Sequence, residues 1–99
     1  MKAAEHGDAQ AQYLVGSIYE TGSKEDGIKA DIEKARKWYE KAASGGSTEA
    51  VNSLAVMYYH GMAGLKADAV KAVSLFEKTA SENDPVGTFM LGSIYYKGV

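Results

Sequence analysis

Apolar residues recur along this chain with the period of an α-helix. The first stripe consists of Ala11, Leu14, Val15, Ile18, Tyr19 and Gly22, and the second of Ile32, Ala35, Trp38, Tyr39 and Ala42. Spacings of three and four residues place such positions on one face of a helix. The pattern predicts five helices, at about 8–21, 32–44, 47–60, 69–81 and 85–97.

The predicted helices are bounded by residues that commonly start and end helices. The candidate N-caps are Asp8, Asp31, Thr48, Asp68 and Asp84, and Pro85 suits a first helical position. Gly22, Gly61 and Gly98 follow the last aromatic turn of their helices. We expect these glycines to end the helices in the left-handed conformation.

The same pattern of residues occurs more than once. Gly46, Ala50, Leu54, Ala55, Tyr58 and Gly61 lie 39 residues after Gly7, Ala11, Val15, Gly16, Tyr19 and Gly22. A third copy follows 37 residues later, at Gly87, Leu91, Gly92, Tyr95 and Gly98, and 31–43 corresponds to 68–80 at the same interval. The chain therefore consists of repeats at 7–45 and 46–82, a partial repeat at 83–99, and the tail of a preceding unit at 1–6.

Two glycines fall in the middle of predicted helices, where glycine is destabilising. Gly16 and Gly92 occupy the same repeat position as Ala55. Small residues there predict a close approach to a partner helix carrying Ala35 or Ala72. We expect the large residues of the repeat to fill the core around them: Tyr19, Trp38, Tyr39, Tyr58, Leu75, Phe76 and Tyr95.

Composition and charge exclude several classes of function. The 99 residues are 45% hydrophobic and 24% charged, with a net charge of −2, so nucleic-acid binding is not expected. The longest apolar run, 54–59, is much shorter than the roughly 20 residues of a membrane span. The N-terminal residues lack the apolar region of a signal peptide. The compartment is left open.

Searches for catalytic or metal-binding residues favour no enzyme and no cofactor. Cysteine is absent, and His6 and His60 are the only histidines and lie far apart. The acidic loop 23–31 lacks the ligand spacing of an EF-hand. Ser17 and Ser93 follow glycine, but on helices rather than at a strand-to-helix elbow.

The order Gly7, Ala11, Gly16, Tyr19, Gly22, then Asp31, Ala35 and Trp38-Tyr39-x-Lys-Ala-Ala, resembles the Sel1-like repeat (SLR), a branch of the tetratricopeptide (TPR) superfamily. The second copy departs from it at Ala55, Leu75, Phe76 and Thr79. The resemblance implies an all-α, right-handed α-solenoid of antiparallel helix pairs, whose first helices line a concave surface. Proteins with such repeats are common in bacteria and generally act as non-catalytic scaffolds or adaptors.

The family's groove geometry implies a set of partner-contacting positions in this sequence, which we call the candidate groove residues. They are Tyr13, Ser17, Glu20, Asn52, Val56, Tyr59, His60, Phe89 and Tyr96. Two rows are expected to run across the groove, one of Tyr13, Asn52 and Phe89 and one of Glu20, Tyr59 and Tyr96. Aromatic residues are effective binding anchors, and an Asn can pair with a peptide backbone through its donor and its acceptor.

The sequence thus favours a module that binds a peptide or helix of another protein. The alternative is self-association into a homo-oligomer through the last helix, where Leu91, Ile94 and Tyr95 are expected to form an exposed apolar face. A cell-wall-associated or ligand-degrading enzyme is the least favoured hypothesis, because it requires a pocket with convergent polar residues.

Overall fold

A computed structural model describes residues 8–96. Five helices lie in this range: α1 (Ala9–Thr21), α2 (Ile32–Ser44), α3 (Thr48–His60), α4 (Ala69–Ser81) and α5 (Pro85–Tyr96). The part described contains no strand, and Ser23 and Ile28 form an isolated antiparallel bridge between α1 and α2. The all-α prediction is confirmed, and every helix end that the described residues test is within one residue of its expected place. The predicted end of the last helix at 97 lies outside them. The predictions for the 1–6 tail, His6, Gly7 and Gly98 lie outside the described residues.

Four of the five predicted N-caps are confirmed. The carboxylates of Asp8, Asp31, Asp68 and Asp84 accept hydrogen bonds from the backbone N–H three residues later, at 3.0, 3.1, 2.9 and 3.0 Å. The prediction for Thr48 is wrong, because Thr48 is already the first residue of α3. Ser47 caps that helix instead, and its Oγ accepts the N–H of Ala50 at 3.2 Å. Ser47 and Thr48 both carry a hydroxyl that can cap a helix. Ser47 is the cap because it lies three residues before Ala50, whose N–H belongs to the first turn of α3 and donates a hydrogen bond to the Ser47 hydroxyl.

The chain divides into a first unit, Met1–Ala50, and a second unit, Val51–Val99. In the first unit, α1 packs on α2, and Val15, Ala35, Tyr39 and Ala42 are buried. A Cβ atom on Gly16 would lie 2.7 Å from the Tyr39 ring and 3.2 Å from the carbonyl oxygen of Ala35. The predicted close approach at Gly16 is therefore confirmed.

The second unit contains most of α3 together with α4 and α5. Its core consists of Ala55, Ala72, Phe76 and Ile94. The predicted close approach at Gly92 is wrong, because no neighbouring helix within residues 8–96 brings an atom within 4 Å of the place a Cβ would take.

Five of the large residues expected to fill the core are less buried than their repeat positions suggested. Tyr95 is 60% exposed and Trp38 is only partly buried. Leu14, in the first apolar stripe, is 51% exposed. The apolar stripe of a helix is wider than the strip that one neighbouring helix covers, so residues at its edge remain accessible. Tyr19, Tyr58 and Leu75 are also partly buried.

Both predicted glycines in the described range follow their helices with positive φ as expected, but Gly22, with ψ of 168°, lies outside the left-handed helical region. Gly22 and Gly61 follow α1 and α3 with φ of +78° and +69°. A side chain at Gly22 would also approach the backbone nitrogen of Ala30 to 2.8 Å. Glycine is therefore required there both for its backbone conformation and for its small size.

Candidate partner-binding surface

In the first unit, the candidate groove residues of α1 are organised around Tyr39. The ring centroid of Tyr13 lies 5.6 Å from that of Tyr39, with the two planes tilted by 32°. The Tyr39 hydroxyl donates a 2.6 Å hydrogen bond to Oε1 of Glu20. Tyr39 is 1% exposed, so a buried side chain of α2 supports two groove positions on α1. The sequence assigned Tyr39 to the core and did not indicate this second role.

Glu20 remains exposed although it accepts this hydrogen bond, whereas Tyr13 and Ser17 are partly buried. Spacings of four and three residues place Tyr13, Ser17 and Glu20 on one face of α1. Since an ionised carboxylate has several lone pairs, Glu20 keeps acceptor capacity for a donor on a partner. This face of α1 offers an aromatic edge at one end and a carboxylate at the other.

In the second unit, Asn52 is engaged within the fold. It is 8% exposed. Its Nδ2 donates to Oδ2 of Asp84 at 2.7 Å, and its Oδ1 accepts from the Thr79 hydroxyl at 2.8 Å. The amide therefore links α3 to α4 and to the N-cap of α5. The expected pairing of Asn52 with a peptide backbone stays a prediction. In this structure the amide is hydrogen-bonded to Asp84 and Thr79 within the second unit.

A signal for this network was present in the sequence. Comparison of the two copies shows Asn52 in place of Tyr13 and Thr79 in place of Ala42. The second copy thus gains a side-chain amide at one position and an aliphatic hydroxyl at the other. These two side chains hydrogen-bond to each other. A paired polar change between repeats indicates a contact inside the second unit.

The remaining candidate groove residues of α3 differ in exposure. Val56 and Tyr59 are partly buried and pack against the second unit's core, while His60 is exposed. The rings of Tyr59 and His60 meet edge to face, with centroids 5.1 Å apart and planes at 84°. Tyr59 is thus in contact with the exposed His60 ring and remains partly accessible itself.

The most accessible aromatic side chains lie on α5. Phe89 and Tyr96 are 72% and 92% exposed, and their spacing of seven residues puts them on one face. The exposed face expected at Leu91 and Ile94 is wrong, because Ile94 is 2% exposed and Leu91 packs against the same core. Their contact with the core turns the other side of α5 outward.

Within residues 8–96, no group of three or more histidine, aspartate or glutamate side chains is arranged to hold a metal ion. In the acidic loop, Ser23 Oγ donates to Asp26 Oδ2 at 3.1 Å. The first unit has an open surface cavity of about 350 Å³ between α1 and α2, lined by Tyr19, Lys34, Lys37, Trp38 and Lys41. None of the candidate groove residues lines it.

Comparison with known proteins identifies the repeat. Residues 9–47 and 48–84 each match the Sel1 repeat model. The chain belongs to the Sel1 repeat family. The predicted family and the TPR-like helical-repeat fold are thereby confirmed. The unit boundaries at 7–45, 46–82 and 83–99 stay a prediction.

Two solved structures resemble this Sel1 repeat protein closely. A Sel1 repeat protein from Oxalobacter formigenes is 33% identical, with a TM-score of 0.81 over 99% of this chain and 71% of that one. A protective antigen of uropathogenic Escherichia coli strains that displays an SLR fold is 34% identical, with a TM-score of 0.83. That match covers 97% of this chain but only 20% of the antigen.

Membership of the family carries a general function. Sel1 repeats are generally non-catalytic modules for protein–protein interaction. Among the helices described, none combines the length and apolarity that crossing a bilayer requires.

Proposed function

We propose that this Sel1 repeat protein is a non-catalytic adaptor that binds a peptide or helix of another protein through the candidate groove residues. The observation that carries the proposal is the exposure of Phe89 and Tyr96, 72% and 92%, on one face of α5. Large exposed aromatic side chains are unfavourable in water and supply much of the binding energy where partners dock.

Partly exposed candidate groove residues on α1 and α3 support the same proposal, each within its own unit. Val56 and Tyr59 rest on the second unit's core, and Tyr13 rests on Tyr39. Side chains held by packing in this way lose little conformational entropy on binding. Glu20 adds an accessible acceptor for a backbone or side-chain donor of the partner.

The test is capture of partners from a lysate of the expressing cell, followed by crosslinking and mass spectrometry. The variant Phe89→Ala with Tyr96→Ala removes the exposed pair and leaves Asn52 and its hydrogen bonds intact. Tyr95→Ala is the matched control, because it deletes a 60% exposed tyrosine of the same helix that lies outside the candidate groove residues. We expect the double variant to lose partners that the control retains. Equal capture by both would contradict the groove assignment.

Self-association is the second candidate function, and the apolar exposure of α5 favours it. Val86, Phe89, Tyr95 and Tyr96 are 49% to 92% exposed, which is the character of a contact between copies. Light scattering over a wide range of protein concentration separates the two proposals. A constant monomer mass eliminates the oligomer, and a mass that rises with concentration and returns to monomer in Phe89→Ala supports it.

A further inference from the structure

A second surface on the first unit combines three lysines with two aromatic rings. Lys34, Lys37 and Lys41 follow one another on α2 at spacings of three and four residues, and all are exposed. Trp38 lies among them and is partly buried. Together with Tyr19 of α1 they line the cavity of about 350 Å³. We call this surface the Lys-Trp pocket. None of the candidate groove residues lines it.

The rings hold two of the ammonium groups at the pocket. Lys41 Nζ lies 4.7 Å from the centroid of the Trp38 ring. Lys34 Nζ lies 5.5 Å from the centroid of the Tyr19 ring. Both distances are within the range of a cation–π attraction. The lysines are therefore partly ordered before any ligand arrives, which reduces the entropy lost on binding.

Glu33 and Glu40 neighbour the pocket lysines on α2, but neither carboxylate is paired with them. The ion pair on α2 joins Arg36 to Glu40 over 3.4 Å, on the side of the helix away from Trp38. None of the three pocket lysines forms an ion pair with a carboxylate of the described residues. In a chain whose net charge is −2, a local cluster of three unpaired cations favours an anionic ligand.

The distance between the outer lysines of the pocket indicates which kind of anion would fit it. Lys34 and Lys41 are seven residues apart, about 10 Å along the helix. In the polyproline II conformation, residues three apart lie on the same face at about 9 Å. Two carboxylates at that spacing would reach the outer lysines, and an apolar residue between them would lie against Trp38.

We propose that the Lys-Trp pocket binds an acidic segment of a partner protein, in extended form, with two side-chain carboxylates three residues apart. A nucleic acid is disfavoured because the lysines span only about 10 Å along α2 and the overall charge is negative. The pocket gives the adaptor a second binding surface, formed by α2 with Tyr19 of α1 and lined by none of the candidate groove residues.

The second repeat provides the variant that tests this. Lys71 and Lys78 occupy the positions of Lys34 and Lys41, and Lys71 Nζ lies 5.8 Å from the Tyr58 ring. The two central residues are replaced by Ser74 and Leu75. The change Lys37→Ser with Trp38→Leu therefore introduces residues that the same repeat position already accommodates, and removes one cation and the aromatic platform.

The experiment uses the full chain and a labelled synthetic peptide, Pro-Glu-Pro-Leu-Glu-Pro, with its Glu-to-Gln counterpart as control. Fluorescence anisotropy reports binding by every variant, and emission of Trp38, the single tryptophan, reports binding by the unmodified chain. We expect saturable binding of the Glu peptide that weakens as salt is raised. The double variant should bind at least about tenfold more weakly. Lys71→Ser, in the second unit, should bind as the unmodified chain does.

Three results would overturn the proposal. The first is equal binding of the Gln and Glu peptides, and the second is unchanged affinity in the double variant with its circular dichroism intact. The third is displacement of the Glu peptide by single-stranded DNA at lower concentration than by unlabelled peptide. That last result would assign the pocket to nucleic acid. If the double variant fails to fold, Lys37→Ser and Lys41→Ser, both at exposed positions, provide the same comparison.

Discussion

Asn52 and Asp84 are joined by a 2.7 Å hydrogen bond, and the same Oδ2 of Asp84 accepts the backbone N–H of Gly87 at 3.0 Å. One carboxylate oxygen thus caps α5 and ties it to α3. The start of α5 is positioned by this bond and by the tight packing of Gly87, where a Cβ would come within 2.7 Å of the Ala80 nitrogen. The α5 face that carries Phe89 depends on both.

Asp84→Ser separates the two roles of that carboxylate. Serine still caps the helix, as Ser47 does at the equivalent position of the second repeat, but it is too short to reach Asn52. We expect the free energy of unfolding to fall by about 1–3 kcal/mol, since a buried amide loses a charged acceptor. Urea denaturation measures the change. In a double-mutant cycle with Asn52→Ala the two losses should be coupled, and simple additivity would contradict the link.

Gly16 and Gly92 should respond in opposite ways to the same substitution. Gly16→Ala drives a methyl group into the buried Tyr39 ring, 2.7 Å away, and we expect a loss of about 1–3 kcal/mol. Gly92→Ala enters open space and should raise stability by about 0.5–1 kcal/mol through helix propensity. Thermal and urea unfolding of the two variants give the comparison. A loss at Gly92 as large as that at Gly16 would show that α5 is covered in solution.

The hydrogen bond of Tyr39 to Glu20 can be removed without disturbing the ring. Tyr39→Phe keeps the contact with Tyr13 and introduces the residue that Phe76 represents in the second repeat. We expect a loss of about 1–2 kcal/mol, because the acceptor is a carboxylate at 2.6 Å. In a Glu20→Ala background the same change should have little effect. An equal loss in both backgrounds would mean that the tyrosine hydroxyl acts elsewhere.

Two sides of α5 should differ sharply in their tolerance of alanine. Ile94→Ala opens the second unit's core, where Ile94 is 2% exposed, and we expect a loss of about 2–5 kcal/mol. Phe89→Ala and Tyr96→Ala alter exposed side chains and should change stability by less than about 0.5 kcal/mol. Denaturant titration of the isolated chain tests this. A large loss at Phe89 would place that ring in a contact between copies and favour self-association.

Helix positions followed from local chemistry. Apolar periodicity, a capping aspartate such as Asp31 and a terminal glycine such as Gly22 act within a few residues of chain, so the sequence alone predicted each helix end that the described residues test to within one residue. Ser47 was missed because Thr48 beside it has the same capping chemistry. The candidate groove residues could be placed on their helices in the same way, from position in the repeat.

Position in the repeat did not predict whether a candidate groove residue is exposed or hydrogen-bonded within the fold. Asn52 and Phe89 hold the same repeat position, yet one is 8% exposed and hydrogen-bonded to Asp84 and the other is 72% exposed. The difference depends on which side chains approach from other helices. Thr79 and Asp84 are near Asn52 in space but distant in sequence.

The sequence by itself determined the repeat, the family and the five helices, because each rests on short-range spacing that recurs in register. Only the tertiary structure decided that Gly92 lies in open space while Gly16 touches Tyr39, and that Trp38 stands among three lysines rather than inside the core. Burial and hydrogen bonding depend on the neighbours that packing brings together. A repeat whose positions match can therefore present different surfaces in each copy.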